Sequence, residues 1–150
     1  MTMYRLYTMP GAAGMAPHIL LREIGAPHEL VLLDEAAGAL VDPEYRRLNP
    51  HGRVPTLADG ELAIYESTAI CLHLADRHPS SALAPPLGSG ERAVFYQWMA
   101  FLTNSVQADE MIWFYPDRFA PPEVAAAVRA KIEDRLDRMF AVLDAALAGR

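Results

Sequence analysis

Pro55 stands at the mouth of a strand-forming stretch, Arg53-Val54-Pro55-Thr56-Leu57-Ala58. A residue without an N–H has no place in a central strand, so it marks a strand entrance or a cis turn ahead of Thr56. A cis Val54-Pro55 bond, the expectation here, leaves the N–H and C=O of Val54 free for a bound peptide. Glu66-Ser67 follows closely in sequence. Ser67 reads as the cap of a helix whose free N–H groups favour a carboxylate, and Glu66 offers a counter-charge for an ammonium group. A sheet edge that bonds a peptide backbone, beside a place for both ends of an amino acid, suits a small zwitterionic peptide.

The flanking pattern tells what carries this edge. Residues 4–8 alternate as a strand, Pro10-Gly11 reads as a turn, and residues 16–24 form a helix with Ile19, Leu20 and Ile24 on one face, ended by Gly25. Residues 29–33 are a continuous apolar run, expected to be a strand buried on both faces of a parallel sheet. Asp42-Pro43 starts a short helix, with Asp as cap and Pro in its first turn, and Asn49-Pro50 closes it. Residues 56–58 and 61–64 flank Asp59-Gly60 as a hairpin, and residues 67–76 are a helix burying Ile70, Cys71 and Leu74. The order βαβαββα is that of a thioredoxin-like domain over residues 1–78.

Pro79-Ser80-Ser81 to Pro85-Pro86-Leu87-Gly88-Ser89-Gly90 reads as a linker by composition. Residues 91–150 then show long helices only. Phe95, Trp98, Met99, Leu102 and Val106 recur at helical spacing. After Pro121-Pro122, so do Val124, Val128, Ile132, Leu136, Met139, Phe140, Leu143 and Leu147. Two helices do not close a domain by themselves. This all-α part is expected to be partial, packing on the first domain, on a partner chain or on residues beyond those present.

With 52% hydrophobic residues in 150, a packed core is expected. A formal net charge of −6 argues against nucleic-acid or anionic-membrane surfaces, which leaves small molecules and proteins as partners. The single cysteine, Cys71, excludes an internal disulfide framework, and the five histidines show no metal spacing, so no metal site is expected. Cys71 reads as a core residue. Met1-Thr2-Met3 leads at once into the first strand with no secretory signal, and a cytoplasmic location is the expectation. Trp98, Phe101, Met111, Trp113, Phe114 and Tyr115 fit a core, a dimer surface or the wall of an apolar pocket. Arg129, Lys131, Glu133, Asp134, Arg135, Asp137 and Arg138 read as a solvated helix side.

Taken in order, Tyr4-Arg5-Leu6-Tyr7, Pro10-Gly11-Ala12, Pro17-His18-Ile19-Leu20-Leu21-Arg22-Glu23, Asn49-Pro50-His51-Gly52-Arg53-Val54-Pro55-Thr56-Leu57 and Glu66-Ser67-Thr68-Ala69-Ile70 resemble the cytosolic glutathione transferases, in their bacterial, beta-like branch. The resemblance implies a thioredoxin-like domain followed by an all-helical domain, in a homodimer. It implies that the backbone at Val54, beside Pro55, binds glutathione as co-substrate, with no permanently bound cofactor. Glu66 and Ser67 would take the γ-glutamyl end and Arg53 would lie near the glycine end, with His51 a further candidate contact. Family members are longer than this chain.

The chain departs from that pattern at the reacting atom. Beta-class members carry Cys-Ser where this chain has Ala13-Gly14, and a histidine near Gln107. A mixed disulfide at Ala13 is therefore excluded. A hydroxyl aimed at the sulfur would stabilise thiolate over thiol, and so would a helix start. Thr8 is the first candidate and Tyr7 the alternative. Strand alternation sends the two to opposite faces. Failing both, the backbone of Ala13 and Gly14 would act alone. The expected function is conjugation of reduced glutathione to small hydrophobic electrophiles. The alternatives are a non-catalytic glutathione or hydrophobic-ligand binder of the same fold, and a glutathione-dependent peroxidase or disulfide reductase.

Overall fold

The computed structural model describes residues 3–149, in two compact units, Met1–Leu87 and Gly88–Arg150. The first contains β1 (Tyr4–Thr8), α1 (Met15–Ile24), β2 (His28–Leu32), α2 (Pro43–Leu48), β3 (Thr56–Asp59), β4 (Leu62–Tyr65) and α3 (Ser67–Arg77). This is the βαβαββα order of a thioredoxin-like domain. The sheet runs β2-β1-β3-β4, with β1 parallel to β2 and the other pairs antiparallel.

Alternation along β1 sends Tyr4, Leu6 and Thr8 to one face and Tyr7 to the other. On the first face Tyr4 and Leu6 meet Leu57 of β3, Leu21 of α1, and Ile70 and Leu74 of α3, which form the core. On the second face the Tyr7 ring meets Tyr45 of α2, centroids 5.7 Å apart. Asp42 caps α2 as expected, its Oδ1 accepting from Glu44 and Tyr45 N–H, and Gly25 closes α1 in the left-handed region at φ +70°.

Four local expectations are corrected. β2 is an edge strand, with Leu32 59% exposed, because β3 returns to the far side of β1 and leaves β1 and β3 as the interior strands. Ile19 is 62% exposed, since it lies two residues, about 200°, from the buried Pro17 and Leu21 of α1. The hairpin turn is Gly60-Glu61, because Asp59 stays in the ladder opposite Leu62. The Asp59 carboxylate is held there by His73 at 3.0 Å and Arg77 at 3.6 Å, both on α3. Ser67 does not cap α3 but is its first residue, and the N-cap position belongs to Glu66.

Cys71 is half-buried rather than buried. Loss of solvent around it raises its thiol pKa to about 11. Alkylation of native protein at pH 8 is therefore expected to be slow, to accelerate as pH rises towards that value, and to become fast on denaturation. Rapid native labelling at neutral pH would contradict the burial argument. The stretch read as linker carries a 3-10 turn at Pro79–Ser81, next to His78, whose ring nitrogen Nε2 lies 3.0 Å from the Tyr4 hydroxyl.

The second unit contains α4 (Gly90–Phe101), a π-helical stretch (Leu102–Gln107), α5 (Ala108–Phe114), a 3-10 turn (Pro116–Arg118) and α6 (Pro122–Leu147). Ser89 caps α4 by accepting from Arg92 N–H. Its core joins Val106, Ile132 and Leu136 to Phe101, Ile112, Trp113, Val128, Met139 and Leu143. Val124, Phe140 and Leu147 fall outside this stripe and are exposed. Two cations expected on a solvated face instead reach α5. The Arg129 guanidinium lies 4.1 Å from the Trp113 ring centroid, and Arg135 Nε lies 3.1 Å from the buried Asp109 carboxylate. Among the described residues no helix is long and apolar enough to cross a membrane.

Candidate functional site

Four segments of the first unit converge at one end of the sheet: the end of β1, the β1–α1 turn, the residues before β3 and the start of α3. The Val54-Pro55 bond is cis. Val54 precedes the β3 ladder, and among the described residues its N–H and C=O take no hydrogen bond. These are the free peptide groups that the sequence led one to expect.

A buried polar cluster holds this loop. Asn49, 1% exposed, donates through Nδ2 to the Arg53 carbonyl at 2.8 Å and to Thr56 Oγ1 at 3.1 Å, and its Oδ1 accepts from His51 N–H at 3.1 Å. The Tyr45 hydroxyl also bonds to the Arg53 carbonyl, and lies 2.9 Å from Thr56 Oγ1. Burial raises the Tyr45 pKa, which keeps the phenol protonated and able to donate. Arg53 is thus fixed through its carbonyl while its side chain stays exposed. His51 is exposed too, its ring edge-on to Tyr65 with centroids 5.4 Å apart.

None of Tyr45, Asn49 or Thr56 stood out in the sequence as a site residue. By residue type Asn49-Pro50 signalled a helix stop, and it entered the family resemblance only as part of the segment up to Leu57. That an amide at this position folds back onto a carbonyl four residues ahead depends on the turn at Gly52, whose φ is +60°.

At the start of α3, Glu66 has φ +72°. That region is costly for a residue with a side chain, by about 1 kcal/mol or more. Its carboxylate forms no cap bond and is an exposed charge at the start of α3, where the N–H of Ser67 has no intrahelical acceptor. Ser67 Oγ donates to the carbonyl of Ala13 at 2.7 Å, tying α3 to the β1–α1 turn across 54 positions of sequence.

The turn itself is tightly packed. A Cβ added at Gly14 would run into Thr8 Oγ1, would lie 2.7 Å from Thr8 Cβ and 3.5 Å from Pro55 Cβ. Gly14 therefore packs directly against Thr8, with Pro55 close by. Thr8 is 5% exposed and its hydroxyl donates to the Met9 carbonyl at 3.3 Å. Tyr7 lies on the other sheet face, where it lines a cavity of about 490 Å³ with Tyr45 and Leu48. Met15 N–H bonds to Ala12 O, but the N–H groups of Ala13 and Gly14 take no partner among the described residues. An open cleft of about 720 Å³ begins at the same turn, with Met9, Pro10, Leu32 and Leu33 among its walls. The site thus offers unpaired backbone donors and acceptors, the Glu66 carboxylate, one helix start and a largely apolar cleft that Asp34 and Glu35 also line.

Comparison with known proteins gives this geometry a lineage. The family model "Glutathione S-transferase, N-terminal domain" matches residues 2–76. Glutathione S-transferase GST-4.5 of Xanthomonas campestris pv. campestris is 35% identical over 149 residues, covering 97% of this chain and 71% of that protein. Glutathione S-transferase GstA of Escherichia coli O157:H7 is 35% identical over 135 residues, covering 88% of this chain and 66% of that protein. The solved structure "Ure2p in Complex with Glutathione" superposes with a TM-score of 0.87 at 27% identity, covering 99% of this chain and 70% of that one.

Proposed function

This chain belongs to the glutathione S-transferase family, and from that premise we propose that it binds reduced glutathione and conjugates it to small hydrophobic electrophiles. The observation that carries the reading is the convergence of the unpaired Val54 peptide groups, the exposed Glu66 carboxylate and the start of α3 around one turn. A tripeptide that is an amino acid at one end and an extended backbone at its centre matches these groups in kind. Its cysteinyl peptide would pair with Val54, its γ-glutamyl carboxylate would sit at the α3 N-terminus, and its ammonium would face Glu66. Arg53 and His51 would flank the glycine end. The thioredoxin-like domain of residues 1–78 would hold all of these contacts.

Thiol activation is assigned to the backbone of Ala13 and Gly14. Thr8 is buried with its hydroxyl against Gly14 and on the Met9 carbonyl, and Tyr7 is across the sheet. Two unpaired N–H groups ahead of a helix stabilise an anion, which lowers a thiol pKa, and each unit of lowering corresponds to ~1.4 kcal/mol. The thiol proton leaves to solvent and the thiolate attacks the electrophile. The cleft at Met9, Pro10, Leu32 and Leu33 supplies apolar surface for that second substrate. Glutathione acts as co-substrate, and a cytoplasmic homodimer is the proposed setting.

A second reading, a glutathione binder without turnover, is favoured by one observation: positions 13 and 14 carry neither a thiol nor a hydroxyl. Ultraviolet titration of glutathione on the protein separates the two. A transferase is expected to lower the thiol pKa by about one unit or more, and Thr8→Val is expected to leave that lowering intact. Binding with an unshifted pKa would favour the binder. A shift abolished by Thr8→Val would return the role to Thr8. Absence of binding, by calorimetry or retention on immobilised glutathione, would remove both readings.

A further inference from the structure

The hydroxyl of Ser67 is already engaged. It has one proton, and that proton lies on the Ala13 carbonyl at 2.7 Å, in a half-buried position. Ser67 is also the first residue of α3, where the backbone N–H has no intrahelical acceptor. One residue therefore presents two separate donors to two separate targets. The acceptor of the hydroxyl belongs to the peptide that joins Ala13 to Gly14, and a planar peptide turns as a unit. Fixing the carbonyl oxygen fixes the direction of the Gly14 N–H. Thr8 limits the same peptide from below, through its contact with Gly14.

We infer that Ser67 divides its work: its backbone N–H serves the carboxylate of the ligand, while its hydroxyl is a positioning group that acts through Ala13 on the activating turn. The inference deepens the proposed glutathione site and rests on that reading. It assigns to Ser67 an influence at the sulfur end of the tripeptide, which a contact to the γ-glutamyl end alone would not give it. Breaking the tether lets the Ala13–Gly14 peptide rotate, and the Gly14 N–H then loses its fixed direction. The helix start that holds the carboxylate remains, because it is made of backbone.

Four measurements test this, on wild type, Ser67→Ala and Ser67→Thr. In Ser67→Ala the dissociation constant for glutathione is expected to change less than about threefold. With glutathione saturating, its bound thiol pKa is expected to rise by about one unit, a tenfold loss of thiolate at a pH below both values, with kcat falling in step. Ser67→Thr, which keeps the hydroxyl, is expected to restore both. The backbone amide resonance of Gly14 in the free protein is expected to shift in Ser67→Ala and to return in Ser67→Thr, because its peptide loses and regains the bond at the Ala13 carbonyl, a readout that needs neither ligand nor turnover. The inference is overturned if Ser67→Ala weakens binding tenfold or more while the bound thiol pKa stays put, for the hydroxyl then serves the ligand. It is equally overturned if the Gly14 amide resonance is unchanged in Ser67→Ala. Failure of wild type to bind glutathione would instead remove the functional reading, and this inference with it.

Discussion

Asn49→Ala is expected to destabilise the protein by about 3 kcal/mol, and to weaken glutathione binding in whatever fraction stays folded. The estimate follows from what the amide leaves behind. Its Nδ2 serves Arg53 O and Thr56 Oγ1, and its Oδ1 serves His51 N–H. Each buried polar group stripped of its partner costs about 1–3 kcal/mol. The Tyr45 hydroxyl still contacts Arg53 O and Thr56 Oγ1, which limits the loss at those two atoms. Asn49→Asp sharpens the test. It keeps the shape and an acceptor for His51, but replaces a donor with a carboxylate facing the Arg53 carbonyl, and burying that charge unpaired is costlier than removing the side chain. The expected order of denaturant midpoints is wild type, then Asn49→Ala, then Asn49→Asp. Unfolding free energies within about 0.5 kcal/mol of each other, the scatter of ordinary surface changes, would refute the cluster's role.

The order of elements in the first unit was open to sequence reasoning because each signal there is local. Pro43 and Asp42 start α2, Gly25 stops α1, and Pro55 announces the cis bond. Local signals do not report sheet order. Residues 29–33 have the composition of a central strand, yet β2 lies at the edge because β3 and β4 both fold to the other side of β1. Glu66 and Ser67 illustrate the same limit within the site. Their presence pointed to a helix start, but the exchange of roles between them, with Glu66 at the N-cap and Ser67 bonded to Ala13, depends on how close α3 comes to the β1–α1 turn. What the neighbours of Thr8 are is something that alternation hides. Facing the right side of a strand places a side chain in the core as readily as in the site, and the bare Cα of Gly14 draws the Thr8 hydroxyl under the turn.

Gly52→Ala is expected to cost at least about 2 kcal/mol, and to reduce affinity for glutathione at the same time. Two penalties add at this position. Gly52 has φ +60°, which for alanine costs roughly 1–2 kcal/mol. An added Cβ would also stand 2.5 Å from the Leu40 carbonyl oxygen and 3.3 Å from Arg46 Nε. The first of these is backbone, so relief requires moving either the segment around Leu40 or the loop that carries Arg53 and Val54. Gly25→Ala isolates the conformational share. Gly25 has nearly the same dihedral, φ +70°, but nothing within 4 Å of the new methyl group. It should lose only the cost of the left-handed conformation, roughly 1–2 kcal/mol, and bind glutathione as wild type does. A difference between the two variants in both denaturant midpoint and glutathione affinity is the expected result. Equal destabilisation with equal affinity would mean that the Leu40 carbonyl yields freely, and that Gly52 serves the turn only through its φ. The glycine before Arg53 matters to the site because the backbone that presents Val54 has no room to move away from a methyl group without leaving the Tyr45 and Asn49 bonds that hold it.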